Sequence, residues 1–329
     1  EPPPRPATPD ELWSRAKDPT LDAAARRQAL AALLRAAPDH EDALALWDEV
    51  RGWERVTPPD ETPSARDGAT RLVWDPARQA LLLFGGWLPE EERLFDDLWA
   101  WDGARWTALV PATDARPAPR HGHALAWDVA RGRLVVHGGL LDGAHRVSPE
   151  TWTWDGTAWT PVGLIAGPEA RCWQTLEWEP ELGAIVAFAG RVLGPKDREY
   201  LPQDDTWLWD GDTWSALRLD ERPPLRWAAA AVHDRPRRRL VVFGGFTEGP
   251  LLDDLWAFKD RAWTPLEAKG TSPPPRHAAG FVVDGRGRAV LHGGAGAQGF
   301  LDDTWLLDLR TLRWTRVDPP TAPAARAWH

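Results

Sequence analysis

From residue 53 onward, apolar and polar positions recur in one pattern. A short run such as HALAW (123–127) leads into a turn of Asp, Pro, Gly or Arg, such as DPARQ (75–79) or DGRGR (284–288). A second run, with almost no polar alternation, ends at a glycine pair: LLLFGG (81–86), LVVHGG (134–139), IVAFAG (185–190), LVVFGG (240–245) and AVLHGG (289–294). After a loop come a Trp-rich segment and a short Trp-Thr or Trp-Ser segment. Run–turn–run predicts a hairpin, and the unalternated run predicts a strand covered on both faces. Tight DG or DL turns predict a second hairpin, so each unit reads as four short strands, a to d. No helical periodicity separates the strands, which argues against parallel βαβ units. Residues 1–52 differ. EPPPRPATP reads as an extended linker. Asp18 to Val50 carries helical periodicity through Ala24, Leu30, Leu33 and Leu34, a break at Pro38, then Ala43, Leu44, Leu46, Trp47 and Val50. A helical hairpin is expected there, faintly like one tetratricopeptide unit and serving as a cap on the rest.

The first position of the glycine pair falls at 85, 138, 189, 244 and 293. Three other registers keep the same spacing. They are the acidic pair with its aromatic (DDLW 96–99, PETW 149–152, DDTW 204–207, DDLW 253–256, DDTW 302–305), the strand-d residues Trp106, Trp159, Trp214, Trp263 and Trp314, and an arginine after a Pro-rich stretch. A glycine pair, a strand-c aromatic and a strand-d Trp at a period of about 50 residues resemble the Kelch repeat. The resemblance covers residues 53–329 and implies an all-β, four-stranded-blade β-propeller. Ala189 departs from the pattern at the first glycine of unit three, which puts the local backbone there in question.

Five units carry every register. Trp53-Glu-Arg-Val reads as a strand d without its partners, and Arg326-Ala-Trp-His329 as the opening of another strand a. A six-bladed ring with an incomplete sixth blade is therefore expected, with five blades as the alternative. The chain contains no Met, so it is expected to be a processed or excised piece.

In an antiparallel four-stranded blade, b–c loops and d–a linkers share one face. The b–c loops here are long and varied, as in RVLGPKDREYLPQ (191–203), and variable loops on a rigid scaffold are where binding concentrates. That face is expected to carry Arg66, Arg120, Arg171, Arg226, Arg276 and Arg326, with Trp173, Trp227, His121 and His277 beside them. Arginine forks bind carboxylate or phosphate, and indole faces suit sugars, prolines or cations. The competing reading pairs each repeated arginine with its acidic DD or PE as scaffold. His137 and His292 fall where other units have Phe and are expected in the core. Cys172, His121 and His277 occupy matched positions from which a metal site could be built.

The resemblance implies a family of diverse functions, from ubiquitin-ligase adaptors to galactose oxidase and a sialic-acid mutarotase. A copper-radical site needs two tyrosines and this chain has one, Tyr200. The expected function is a non-catalytic module that binds a protein segment or an acidic ligand. The alternative is a mutarotase-like sugar-modifying enzyme with an arginine-lined pocket and His121 or His277 as base. No cofactor is expected. A net charge of −10 argues against a nucleic-acid partner, no stretch reaches the ~20 apolar residues of a membrane span, and a monomer is expected. A single cysteine leaves both cytoplasmic and exported locations open. Arginine-rich, isoleucine-poor composition hints at a bacterial gene.

Overall fold

The structure is a computed structural model. It describes residues 7–37, 40–43, 46, 53, 55–56, 61–67, 71–142, 145–163, 166–196, 199–284, 286–319 and 322–328. The chain divides into two units, Glu1–Thr57 with Asp318–Ala324, and Pro58–Val317 with Ala325–His329. No helix among the described residues is long and apolar enough to cross a membrane.

The first unit holds helices Pro9–Lys17 and Ala23–Ala36. The hairpin therefore begins earlier than the periodicity indicated, inside the segment read as linker. Thr8 starts it: its hydroxyl accepts from the Glu11 amide while the Glu11 carboxylate accepts from the Thr8 amide, with Pro9 at the first helical position. Leu12, Ala16, Ala29, Leu30, Leu33 and Ala43 form its buried core. Of the second predicted helix, Leu44, Trp47 and Val50 lie outside the described residues.

The second unit is all-β and contains five antiparallel four-stranded sheets, each in the order a-b-c-d. Blade 1 comprises Val73–Asp75, Ala80–Leu88, Arg93–Trp101 and Trp106–Ala108. Blade 2 comprises Ala124–Asp128, Arg133–His137, Thr151–Trp154 and Trp159–Pro161. Blade 3 comprises Thr175–Glu179, Ala184–Phe188, Thr206–Trp209 and Trp214–Leu217. Blade 4 comprises Ala230–Asp234, Arg239–Phe246, Leu251–Lys259 and Ala262–Leu266. Blade 5 comprises Gly280–Val283, Arg288–His292, Thr304–Asp308 and Arg313–Val317. Of the expected orphan strand d, residues 53, 55 and 56 lie in no strand and residue 54 is outside the described set.

Successive blades stack face to face through apolar layers, the first between Val73, Leu82 and Phe84 of blade 1 and Leu125, Trp127 and Trp159 of blade 2. The strand-d indole wedges each joint. Trp159 packs on Phe84 at 5.0 Å between ring centroids, Trp214 on His137 at 5.1 Å, Trp263 on Phe188 at 4.6 Å and Trp314 on Phe243 at 5.1 Å. A large flat ring buries the area that diverging sheets would otherwise leave open. Where strand c supplies a threonine, the indole N–H of the next blade donates to it: Trp214 to Thr151 and Trp263 to Thr206, both at 2.9 Å.

The glycine pair is needed because neighbouring blades meet at their backbones. Gly85 has φ +64°, and a Cβ there would lie 2.8 Å from the Arg120 carbonyl of the next blade. The second amide of each pair donates to that arginine carbonyl: Gly86 to Arg120, Gly139 to Arg171, Gly190 to Arg226 and Gly245 to Arg276. Ala189 keeps this geometry at φ +63°, so the substitution strains the backbone rather than rerouting it. Ala189→Gly is expected to stabilise the domain by about 0.5–1 kcal/mol in urea unfolding, the left-handed penalty removed less glycine's entropy cost.

Candidate functional site

Each repeated arginine follows a Pro-rich linker that brings its side chain over the end of its own sheet. Arg226 shows the arrangement. Its Nε donates to the Pro224 carbonyl at 3.0 Å, one terminal nitrogen donates to the Gly244 carbonyl at 2.8 Å, and the fork closes on Asp254 at 2.7 and 2.8 Å. Arg171 repeats it on Asp205, Arg276 on Asp303 and Arg66 on Asp97, while Arg120 reaches Glu150. An indole two residues on donates to the same acid, as Trp256 does to Asp254 at 2.8 Å. Burial opposes ionisation of Asp303, but hydrogen bonds from Arg276 and Trp305 outweigh it and hold the carboxyl below its usual range.

The expected arginine-lined pocket is corrected on this point. Arg120, Arg171, Arg226 and Arg276 are fully buried, and their donors are taken up inside the blade, which leaves no fork for a ligand. Arg326 holds the same main-chain register with an exposed side chain. Arg71, just ahead of strand a of blade 1, donates to the Ala231 carbonyl of blade 4 at 2.9 Å and pairs with Glu177 of blade 3. The sugar-modifying alternative relied on arginines in such a pocket.

What the loop-rich face does present is an aromatic basin built from three registers. One residue past the arginine lie His121, Cys172, Trp227 and His277, and two past it lie Trp173 and Trp328. One past the glycine pair lie Trp87, Arg191 and Phe246, each bridged to the first register of its own blade. The second of these registers sits at left-handed φ (Gly122, Trp173, Ala228, Ala278 and Trp328). Its main chain forms a continuous string, in which Trp173 N–H donates to the Gly122 carbonyl, Ala228 to Trp173, Ala278 to Ala228 and Trp328 to Ala278. That string carries the basin floor. Trp173 lies 5.4 Å from Trp227 and 5.7 Å from Trp328, and Trp227 and Trp328 are parallel within 10° at 6.0 Å. His121 meets Trp173 edge-on at 5.9 Å, and His277 meets Trp227 at 5.2 Å and Trp328 at 5.2 Å.

Arg191 stands among these rings. Its guanidinium is 3.9 Å from the centroid of Trp173, 3.8 Å from that of Tyr200 and 4.5 Å from that of Trp227. Cation–π attraction holds it there, but its Nε has no hydrogen-bond partner and no carboxylate pairs with it among the described residues. Burial above all, and then the Arg191 charge, lower the pKa of His277 to about 4. Burial likewise lowers His121 to about 4, so both rings are neutral at pH 7. Cys172 is fully buried, and burial pushes its thiol up to about 12, so it is no nucleophile. Among the described residues, no three His, Cys, Asp or Glu side chains are grouped to hold a metal. His137 and His292 are buried as strand-b residues, each bonded to a strand-c threonine at 3.0 Å.

Sequence reasoning thus named Trp173, Trp227, His121 and His277, which the fold brings together, but missed Arg191, Tyr200 and Phe246. The signal was the residue after the glycine pair, which reads Trp, Leu, Arg, Phe and Ala through the five units; only blade 3 places a charge there.

A family description, the KLHDC2/KLHL20/DRC7 Kelch-repeats domain, matches residues 145–329, more than half of the sequence. The chain belongs to the Kelch-repeat family. Kelch domains are generally protein-interaction modules. This Kelch chain is also 31% identical over 127 residues to dynein regulatory complex subunit 7 of Chlamydomonas reinhardtii, covering 35% of this chain and 10% of that protein. It spans about a tenth of that relative's length.

Proposed function

We propose that the basin receives a segment of a partner protein, with an acidic group of that segment on the Arg191 fork and its apolar side chains against Trp173, Trp227 and Trp328. The observation that carries this reading is the guanidinium itself. A half-buried arginine whose Nε is buried without a hydrogen-bond partner, and to which no carboxylate is paired among the described residues, is costly to keep, and a ligand carboxylate offsets that cost. The neutral histidines leave Arg191 as the positive charge of the basin floor, which suits one carboxylate. The aromatic walls supply rigid contact area of the kind that dominates interface hot spots. A protein-partner role is in keeping with the relative whose name makes it a subunit of a regulatory complex.

The test is a peptide-display selection on the immobilised protein, followed by titration calorimetry. Selected peptides are expected to carry Asp or Glu beside an apolar residue. Arg191→Gln is expected to weaken them about 10- to 100-fold, the worth of a charge-assisted hydrogen-bond pair, and Trp173→Ala by at least as much. Selected peptides without an acidic residue that bind Arg191→Gln unchanged would overturn the reading.

A further inference from the structure

The basin carries a second charge, on the side of blade 1. Asp67 stands one residue past Arg66, in the register held by His121, Cys172, Trp227 and His277 in the later blades. Its main chain is tied to Trp87: the Asp67 N–H donates to the Trp87 carbonyl at 2.7 Å, and the Trp87 N–H donates to the Asp67 carbonyl at 3.0 Å. The Asp67 carboxylate is half-buried and has no hydrogen-bond or ion-pair partner among the described residues. Its neighbour Arg66 is spent on Asp97. Burial first, and then the charge of Glu90 on the short turn after strand b, push the Asp67 carboxyl above its usual range. A carboxylate placed so is an uncompensated negative charge.

His121 points to the same corner independently. It is 4% exposed, and neither ring nitrogen has a hydrogen-bond partner among the described residues. Its ring lies 5.0 Å from that of Trp87. Because burial holds the imidazole neutral, it offers a lone pair to a donor instead of a repelling charge. The Trp87 ring is only partly buried and adds a π face. Carboxylate, π face and lone pair together suit a cation that carries its own N–H donors. A bare metal ion suits the corner less well, since no three His, Cys, Asp or Glu among the described residues are grouped to hold one.

We infer that this corner takes a basic side chain of the bound segment, so that the basin reads two opposite charges at once: a Lys or Arg between Asp67, Trp87 and His121, and an acid on Arg191. The inference rests on the protein-segment reading above. Ring contacts also set the spacing. They run from Trp87 to His121 at 5.0 Å, from His121 to Trp173 at 5.9 Å and from Trp173 to the Arg191 guanidinium at 3.9 Å. At ~3.3 Å per residue of extended chain, that path spans no more than about five residues. Opposite charges at its two ends fix which way round the segment lies, because the reversed segment sets like charges together.

Seven-residue random peptides, selected on the full chain, are the probe. They are expected to enrich Lys or Arg within five positions of the Asp or Glu. Asp67→Asn is expected to weaken a selected peptide about 10-fold, the worth of a charge-assisted hydrogen bond, with Tm unchanged because that carboxylate bonds nothing in the fold. Replacing the peptide's basic residue by Gln is expected to cost as much against the unsubstituted protein and nothing further against Asp67→Asn. Glu90→Gln, at an exposed position, is the milder variant and is expected to weaken the same peptides about two- to threefold. Selection on Asp67→Lys is expected to replace the basic residue by an acidic one. Peptides that carry the acid without the base, or a base whose loss costs as much in Asp67→Asn as in the unsubstituted protein, overturn this inference and leave the Arg191 reading standing. Peptides indifferent to Arg191→Gln overturn that reading instead.

Discussion

Asp254→Ala is expected to destabilise the propeller domain by about 3–5 kcal/mol, while Asp253→Ala, its neighbour in the same doublet, changes stability by no more than about 0.5 kcal/mol. The Asp254 carboxylate takes both arms of the Arg226 fork and the Trp256 indole N–H. The guanidinium it neutralises is fully buried, whereas the carboxylate side chain is 33% exposed. Removing the acid therefore strands a buried cation, the costly half of such a pair. Asp253 is exposed and its loss strands nothing. Guanidinium-chloride unfolding of the two variants checks this, and equal effects would show that the doublet acts as a diffuse acidic patch rather than through one pair per blade.

Acid is expected to unfold the domain from a higher pH than its carboxylates alone would set. Burial lowers His121 and His277 to about 4, and burial lowers His123 and His137 to about 3. In the unfolded chain these groups titrate near 6.5, so below that pH the unfolded state binds more protons and is favoured. Stability is thus fully present above pH 6.5, falls as pH drops, and stops falling on their account only below pH 3–4. Each histidine contributes a slope of about 1.4 kcal/mol per pH unit across its window, so four of them exhaust an ordinary folding stability before pH 4. Asp97, Glu150 and Asp303 reinforce the loss lower down. Burial opposes their ionisation, but arginine and indole hydrogen bonds hold all three below their usual values. His137→Phe, which restores the residue found at Phe84, Phe188 and Phe243, should reduce the slope by one proton. Urea midpoints recorded from pH 8 to pH 4 measure this; a midpoint that stays level down to pH 5 would show that the buried histidines are protonated in place.

The repeated, acid-partnered arginines are legible both as scaffold pairs and as a ligand pocket, and the structure shows the scaffold pairing. A residue that recurs in every unit serves something every unit needs, and here that is the end of each sheet. Arg191 is hidden for the opposite reason: the position after the glycine pair holds a different residue in every unit, so no recurrence marks it. The early helix was missed because EPPPRPATP looked like linker, although Thr8 and Glu11 carry a capping box in three residues' spacing.

The order of strands, the glycine pair, the wedging indoles and the histidines of the core follow from the linear chain. Their causes are local, being turn chemistry, backbone conformations that need glycine, and a period that repeats. Which guanidinium is consumed and which is left unpaired follows only from the folded chain. That outcome depends on residues 18 to 34 positions apart meeting at one sheet end, and on rings from blades 3 and 4 converging on a side chain that neither requires.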